Sequence, residues 1–229
     1  MPERRRGLTM GKVVIFGSGQ IAEVIWHYLT HESDHEVVGF TVDGAYLKQP
    51  TLFGLPVVAF EDVEAAFPPA GHGIYVAMSY QKLSAPRTAK LAEAEAKGYR
   101  AIGHVSPRAV VPPGFEPKPN TFIMEHNTIQ PFVEIGRNVI VWSGNHIGHH
   151  SRIGDNCFIS SHVVVAGNVS VGENCFLGVN STLRDNISIG SHCVVGAGAL
   201  VLADAPDYAL FPGQGTEIAR IRSDRLRNL

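Results

Sequence analysis

The sequence predicts a small α/β domain followed by a parallel β-helix built from six-residue units. Two observations carry this prediction. From residue 12 to about residue 105, apolar runs alternate with amphipathic stretches, which is typical of a small parallel sheet with flanking helices. From residue 123, aliphatic residues recur at every sixth position, a period that neither a strand nor a helix produces. A hexapeptide β-helix produces this period, because each hexad forms one short strand and one turn and three hexads close a triangular coil.

Apolar runs and two amphipathic segments define the predicted α/β domain. Residues 13–16 form a short apolar run that ends at Gly17, as a buried parallel strand does. Further strands are predicted at residues 37–42 and 73–78 and near 101–102, with a helix over 84–97 that stops at Gly98. This half suits a small Rossmann-like domain and is too short for a full two-lobed dinucleotide fold. The first helix is predicted from apolar residues at helical spacing: Ile21, Val24, Ile25, Tyr28 and Leu29.

The repeat half contains an unbroken series of fourteen aliphatic residues, which are expected to point inward and fill the coil. They are Ile123, Ile129, Ile135, Val141, Ile147, Ile153, Ile159, Val165, Val171, Leu177, Leu183, Ile189, Val195 and Val201. Seven of them are followed at once by glycine, namely Gly136, Gly148, Gly154, Gly172, Gly178, Gly190 and Gly196. Glycine, Asn, Asp and His are expected at the corners of the coil, where the backbone needs unusual dihedral angles.

The three cysteines, Cys157, Cys175 and Cys193, lie 18 residues apart. Each therefore occupies the same position in successive coils, and we expect an inward or semi-buried ladder at the strand spacing of about 4.8 Å. Parallel, stacked side chains suit neither tetrahedral metal ligation nor disulfide geometry, so the interpretation is structural.

Composition excludes several classes of protein. The 229 residues are 45% hydrophobic with a net charge of only −2, which excludes a disordered chain and argues against a dedicated nucleic-acid binder. No apolar stretch approaches the roughly 18 to 20 residues of a membrane helix, so no membrane partner is expected. The apolar run behind Arg4, Arg5 and Arg6 ends at Phe16 without a secretory core, which predicts a cytoplasmic protein.

Fourteen hexads behind a small α/β domain resemble the sugar N-acyltransferases of the left-handed β-helix superfamily. The resemblance is to the sialic-acid-cluster, bacillosamine and perosamine N-acetyltransferase type and spans residues 12 to about 212. It implies a left-handed coil, a homotrimer, acetyl-CoA as co-substrate, and a nucleotide-linked amino sugar as acceptor. A 4-amino-4,6-dideoxy sugar in lipopolysaccharide or O-antigen biosynthesis is the implied setting. The predicted division is an extension (1–11), a nucleotide-sugar-binding domain (12–105), an acyltransferase coil (106–205) and a tail (206–229).

The resemblance assigns catalytic residues to the repeat half at His149, His150 and Gly167. The motif Gly-His-His-Ser-Arg-Ile-Gly spans residues 148–154 and puts His149 at the position of the family's general base. A neutral imidazole can accept the proton that an amine loses as it attacks a thioester. Gly167 matches the glycine whose backbone N–H stabilises the oxyanion. The alternative is that both histidines are merely corner residues.

The motif departs from the family pattern around the base. Gly148 and His150 stand where acidic residues are usual, so another group must orient His149; Asn145, His146 or a neighbouring subunit could do so. Phe158 replaces a histidine that approaches the thioester, and His162 is an alternative partner. The resemblance also implies that Phe158, Gly167, Val179 and Ala197 contact the cofactor. The tail arginines could contact its phosphates or form a solvated surface: Arg220, Arg222, Arg225 and Arg227.

The nucleotide-sugar site is expected at the strand-to-helix turn Gly17-Ser18-Gly19-Gln20. Glycines permit the close approach of a phosphate, and a helix N-terminus attracts an anion. Asp43 follows the second strand, where it could accept hydrogen bonds from a ribose or base. Gln20 replaces a family glycine, and Ser79 replaces another glycine after the strand at 73–78.

Three alternatives to N-acetylation remain open at this stage. O-acetylation of a sugar hydroxyl would need the same base. A zinc enzyme that resembles the γ-carbonic anhydrases would share the coil, although the adjacent His149 and His150 do not have that ligand spacing, and no metal is expected. A non-catalytic nucleotide-sugar-binding protein is the third.

Overall fold

The computed structural model describes residues 11–218 and 220–225. The predicted extension, apart from Gly11, lies outside these residues, as does Arg227 of the tail. The N-terminal half contains three helices, α1 (Gln20–Glu32), α2 (Val63–Ala66) and α3 (Ala85–Ala96). Its strands are β1 (Lys12–Phe16), β2 (Glu36–Val42), β3 (Thr51–Leu52), β4 (Leu55–Ala59), β5 (His72–Val76) and β6 (Arg100–Ala101). No helix among the described residues is long and apolar enough to cross a membrane.

The six strands form one sheet in the order β3-β4-β2-β1-β5-β6, parallel except for the β3–β4 hairpin. The predicted apolar runs become β1, β2, β5 and β6, and both predicted helices form. The run predicted at 73–78 ends earlier, at Val76, because the chain then turns into a loop in which Lys82, Leu83 and Ser84 have positive φ. No strand or helix was predicted for residues 43–71, yet this segment forms β3, β4 and α2.

The C-terminal half is a parallel β-helix, and every strand predicted by the hexad series forms. Strand β7 (His104–Val105) precedes the series and β22 (Leu210–Phe211) follows it. The strands between them are β8 (Phe122–Ile123), β9 (Thr128–Ile129), β10 (Glu134–Ile135), β11 (Ile140–Val141), β12 (His146–Ile147), β13 (Arg152–Ile153), β14 (Phe158–Ile159), β15 (Val164–Val165), β16 (Ser170–Val171), β17 (Phe176–Leu177), β18 (Thr182–Leu183), β19 (Ser188–Ile189), β20 (Val194–Val195) and β21 (Leu200–Val201).

These strands stack into three sheets, which we call faces 1, 2 and 3. Face 1 is β7-β8-β11-β14-β17-β20-β22, face 2 is β9-β12-β15-β18-β21, and face 3 is β10-β13-β16-β19. Strands one coil apart pair in parallel, as His146 does with Val164. The aliphatic residue of each hexad points inward, and together they form one continuous core. Parallel pairing and the hexapeptide repeat fit the left-handed β-helix implied by the resemblance.

Three corners join the faces. The first corner, between faces 1 and 2, comprises residues 124–127, 142–145, 160–163, 178–181 and 196–199. The second corner, between faces 2 and 3, comprises residues 130–133, 148–151, 166–169 and 184–187. The third corner, between faces 3 and 1, comprises residues 136–139, 154–157, 172–175 and 190–193.

Each corner needs one residue with positive φ, and the sequence supplies mainly Asn and His there. From Asn120 to Gly198 every sixth residue has a φ between 55° and 78°. Asn and His tolerate this left-handed conformation better than most side chains. Only Gly144 and Gly198 among these positions are glycine.

The expectation that the seven hexad glycines serve unusual dihedrals was wrong. None of the seven has a positive φ. A Cβ built on Gly154 would lie 2.6 Å from the backbone nitrogen of Glu173 in the next coil, and the other six meet the next coil at 2.3–2.7 Å. These glycines are therefore required by the close stacking of successive turns.

The cysteine ladder forms as predicted. All three thiols are buried, and the Cys157 sulfur accepts from the Cys175 backbone N–H at 3.4 Å. Cys175 does the same for Cys193 at 3.3 Å. Burial raises the pKa of the Cys157 thiol.

The α/β domain covers the outer side of face 1. Phe122 and Tyr75 meet there with ring centroids 5.3 Å apart, and both are fully buried. Arg87 of α3 is also fully buried and donates to the Asn138 side chain at 3.1 Å and to the carbonyls of Asn138 (2.9 Å) and Asn156 (3.1 Å). Burial lowers the pKa of Arg87 to about 10, so it still carries its charge at neutral pH. These contacts fix the domain against face 1 and the third corner.

We expect Gly154→Ala to destabilise the coil, because the added methyl group has only backbone atoms of the next turn to displace. The cost should be about 1–3 kcal/mol, as for other overpacked sites. Gly71→Ala is the matched control, since nothing lies within 4 Å of a Cβ built there. Thermal unfolding of both variants measures the difference, and equal melting temperatures would contradict the close-stacking explanation.

Candidate functional site

His149 lies on the second corner, directly after face 2. Its backbone N–H donates to Oε1 of Gln130 in the preceding coil at 2.8 Å, and its carbonyl accepts from the Asn168 N–H in the next coil at 2.8 Å. Its side chain is exposed. The backbone of this residue is thus held from below and from above, while the imidazole remains open to a ligand.

Gly167 lies one coil above His149, and the imidazole rests against it. A Cβ built on Gly167 would be 2.7 Å from Nε2 and 2.8 Å from Cε1 of His149. Among the described residues, no group accepts a hydrogen bond from the Gly167 N–H. The structure therefore brings together an imidazole nitrogen and an unoccupied backbone donor, which belong to two of the three residues that the resemblance assigned to catalysis.

His150 completes this cluster. Its Nδ1 lies 3.1 Å from Nδ1 of His149, and the two ring planes are nearly perpendicular. The ring of Phe132, one coil below, faces His150 at 4.7 Å between centroids. Sequence reasoning missed Gln130 and Phe132, which an 18-residue alignment of the corner positions would have found.

The other predicted partners of His149 lie elsewhere. Asn145 is 2% exposed, and its amide is engaged within the first corner with Trp142 and Val163. His162 also belongs to the first corner, where its ring lies beside Gly144. His146 is on the outer side of face 2. None of the three makes a hydrogen bond to His149 in the part of the chain that the structure describes.

The predicted cofactor contacts are spread over the coil. Val179 and Ala197 are stacked on the first corner, and Val179 is exposed. Phe158 is on the outer side of face 1 and only 3% exposed, with its ring against Tyr80 (4.9 Å) and Phe176 (5.9 Å). Gly167 is on the second corner. Within one chain, therefore, Gly167, Val179 and Phe158 do not line one continuous binding path for the cofactor.

The predicted nucleotide-sugar residues converge at the carboxyl edge of the α/β sheet. Gly17 follows β1 with a φ of 123°, and a Cβ there would lie 2.9 Å from the Ala77 carbonyl oxygen. Gly19 is the N-cap of α1, and Gln20 is its exposed first residue. Ser79 follows β5, and its carbonyl accepts from Arg87 at 3.3 Å. Ligands of parallel α/β sheets bind at this edge.

Asp43, at the end of β2, forms an ion pair with Lys90 of α3 at 2.7 Å. Burial alone would lower the pKa of Lys90, but Asp43 and Glu93 outweigh it and the pKa is raised. Lys90 therefore adds a cation to this edge of the sheet, which sequence reasoning did not identify. It was hidden because its partner Asp43 is 47 positions away in the sequence, so the pair forms only when α3 packs on the sheet.

The two halves of the site lie far apart within one chain. The α/β domain contacts face 1, the third corner through Arg137 and Glu95, and the first corner through Tyr28 and Glu125. Burial and the Glu125 carboxylate raise the pKa of Tyr28 to about 12. The second corner, with His149, is the corner opposite face 1. Among the described residues, no hydrogen bond or ion pair joins this corner to the α/β domain.

No group of three or more His, Cys, Asp and Glu side chains among the described residues could hold a metal ion. In the tail, Arg222 pairs with Asp224 at 2.9 Å, and Arg220, Arg222 and Arg225 are exposed.

Two family models match the repeat half. The bacterial transferase hexapeptide model (six repeats) matches residues 133–167, and the model for the hexapeptide repeat of succinyl-transferase matches residues 168–203. No curated protein sequence matches the chain.

Solved structures match nearly the whole chain. PerB from Caulobacter crescentus, in complex with CoA and GDP-perosamine, is 29% identical with a TM-score of 0.75, over 89% of this chain and 95% of that one. A mutant of perosamine N-acetyltransferase from the same organism, with the same ligands, is 28% identical with a TM-score of 0.75, over 90% and 96%. The acetyltransferase domain of PglB from Neisseria gonorrhoeae, in complex with acetyl coenzyme A, has the same fold at 22% identity, with a TM-score of 0.78 over 90% and 97%. The predicted resemblance to sugar N-acyltransferases and the assignment to acyltransferases are confirmed.

Proposed function

We propose that this chain, an acyltransferase with a hexapeptide-repeat coil, transfers the acetyl group of acetyl-CoA to the amine of a nucleotide-linked amino sugar. The observation that carries the proposal is the contact of the His149 imidazole with Gly167, whose N–H has no acceptor among the described residues. The neighbour that contains CoA and GDP-perosamine supports the choice of both substrates. We propose a 4-amino-4,6-dideoxy sugar of surface-glycan biosynthesis and a cytoplasmic enzyme.

The reaction proceeds by direct attack. The sugar amine attacks the thioester carbonyl carbon, and Nε2 of His149 takes the proton that the nitrogen loses. The Gly167 N–H donates to the oxygen that becomes negatively charged in the tetrahedral intermediate, and a fixed backbone donor needs no reorganisation to do so. When the intermediate collapses, the C–S bond breaks and the CoA thiolate takes the proton from the His149 imidazolium.

The acceptor binds at the carboxyl edge of the α/β sheet. Gly17 and Gly19 approach the phosphates, which the N-terminus of α1 attracts. Asp43 accepts hydrogen bonds from the ribose or base, and the ammonium group of Lys90 beside it balances the negative charge of the Asp43 carboxylate. Gln20 and Ser79 line the same edge.

The active site forms between two copies of the chain in a homotrimer. Within one chain, His149 and the α/β domain lie on opposite sides of the coil, and Val179 and Gly167 lie on different corners. Face 2 separates those two corners, so packing this face against a neighbour puts the second corner of one copy beside the first corner of the next. One groove can then be lined by His149 and Gly167 from one copy and by Val179 and Ala197 from the other.

The outer side of face 2 supports this assembly. Val110, Val164 and Leu200 are apolar there and 65%, 39% and 62% exposed, respectively. The α/β domain covers the N-terminal strands of face 1, while Leu210 at the C-terminal end of that face is 68% exposed. Face 3 carries polar residues such as Glu134 and Ser170. The outer side of face 2 also carries Thr128, His146 and Thr182, so this surface is partly apolar. Exposed aliphatic side chains that recur on one face are typical of an interface between subunits.

We expect His149→Ala to reduce kcat at least about 100-fold, since the attacking amine then has no base. The measurement is thiol release from acetyl-CoA with a panel of UDP-, GDP- and dTDP-linked amino sugars. His149→Asn should behave in the same way. Near-normal turnover in a folded trimer would sink the assignment of the base, and thiol release only with hydroxyl acceptors would favour O-acetylation.

Gly167→Ala should reduce turnover about tenfold or more without lowering the melting temperature, because the exposed His149 ring can rotate away from the new methyl group. The backbone N–H of residue 167 remains in this variant, so a loss of turnover reports on the position of the His149 imidazole. Gly215→Ala is the control, since nothing lies within 4 Å of its Cβ. Unchanged turnover in Gly167→Ala would show that the contact with His149 has no catalytic role.

Leu200→Glu should convert the trimer to monomers, because it buries a charge at the proposed interface. Ser170→Glu on face 3 is the matched control and should leave the assembly unchanged. Light scattering during gel filtration measures both masses; a trimeric Leu200→Glu would argue against face 2 as the interface.

A further inference from the structure

We infer that His150 is a positioning residue that accepts a hydrogen bond from Nδ1–H of His149 and so holds His149 in the tautomer with a free Nε2. The inference rests on the proposed function of His149 as the base. It supplies the orienting group that the other predicted partners do not, since Asn145, His146 and His162 make no hydrogen bond to His149 among the described residues.

The contact itself restricts the tautomers. Two Nδ1 atoms 3.1 Å apart can share only one proton, so one imidazole donates and the other accepts. If His149 donates, its Nε2, which lies beside Gly167, carries a lone pair and can take a proton. If His149 accepts, its Nε2 carries the hydrogen in the neutral ring and cannot act as a base.

The surroundings hold His150 in place. The ring of Phe132 faces it at 4.7 Å, and its backbone N–H donates to the Pro131 carbonyl at 3.3 Å. Its φ of 60° belongs to the regular corner conformation. His150 is therefore held by the coil below, independently of any ligand.

No charged group competes for His149 within the described residues. Asp185 stands on the same corner two coils above, and its carboxylate accepts from the Asn186 side chain. Glu134 on face 3 lies 3.5 Å from Arg152. Neither carboxylate makes a hydrogen bond to either imidazole. The His150 ring is thus the acceptor that the chain itself offers to His149.

The adjacent coils show that the backbone conformation at position 150 also accommodates Phe and Asn. Phe132 below and Asn168 above occupy the position of His150 in adjacent coils, with φ of 66° and 57°. His150→Phe keeps a ring and removes the acceptor, whereas His150→Asn keeps an acceptor in its amide oxygen. His192→Phe is the matched control, because His192 has the same backbone conformation on the third corner.

The test joins a spectroscopic readout with kinetics on the full chain. Nitrogen NMR of the imidazoles should find His149 protonated at Nδ1 in the wild type and in His150→Asn, and shifted toward Nε2–H in His150→Phe. We expect kcat to fall about 10- to 100-fold in His150→Phe, as for other partners that orient a functional imidazole, with little change in KM for acetyl-CoA. His150→Asn should retain most of the activity and His192→Phe nearly all.

The outcomes separate this inference from the proposed function. An active wild type with His149 protonated at Nε2, or a His150→Phe variant with unchanged tautomer and kcat, would overturn the positioning role alone. A wild type without thiol release from acetyl-CoA on any amino sugar would overturn the proposed function, and the role of His150 in catalysis with it. The NMR result is independent of turnover.

Discussion

Close stacking of successive coils is the constraint on which the rest of this structure depends. Residues 18 positions apart lie directly above one another, and the turns approach so closely that glycine is needed after many inward aliphatics. Gly154 shows this in its simplest form, with the backbone of Glu173 at 2.6 Å from its missing Cβ. The same stacking puts Gly167 against the imidazole of His149. A rigid coil thus defines the distance between a base and a backbone donor without any help from loops.

The second consequence of the coil is that His149 and the α/β domain of the same chain are separated from each other. A three-sided prism that carries a domain on face 1 leaves the opposite corner free, and His149 lies on that corner. If the α/β domain holds the acceptor, as we propose, the acceptor and the imidazole of the same chain lie on opposite sides of the coil. The proposed packing of face 2 would bring a second copy, with its own α/β domain, next to His149. In this account assembly and catalysis depend on the same surface.

The features that could be predicted from the sequence are those that recur at a fixed spacing along the chain. The aliphatic series located all fourteen hexad strands, and the cysteine spacing predicted the ladder. What the sequence could not predict depends on contacts between distant residues. Strand β4 was missed because Pro56 interrupts its apolar pattern, although the proline precedes the part that pairs with β2. Lys90 reaches Asp43 only after α3 has packed on the sheet. The hexad glycines were expected to serve unusual dihedral angles, because the distance between successive coils cannot be derived from the sequence pattern. The contact between His149 and His150 could not be predicted either, because it depends on side-chain rotamers.

The central claim is that the base of one copy serves the nucleotide-sugar domain of another, and mixed oligomers test it most directly. Copies carrying His149→Ala and copies carrying Asp43→Ala, each with a different tag, are co-expressed, and trimers containing both are isolated. The account predicts little activity in either pure trimer and roughly one active site in three in every mixed closed ring. Mixed trimers that are folded but no more active than the pure variants would contradict it.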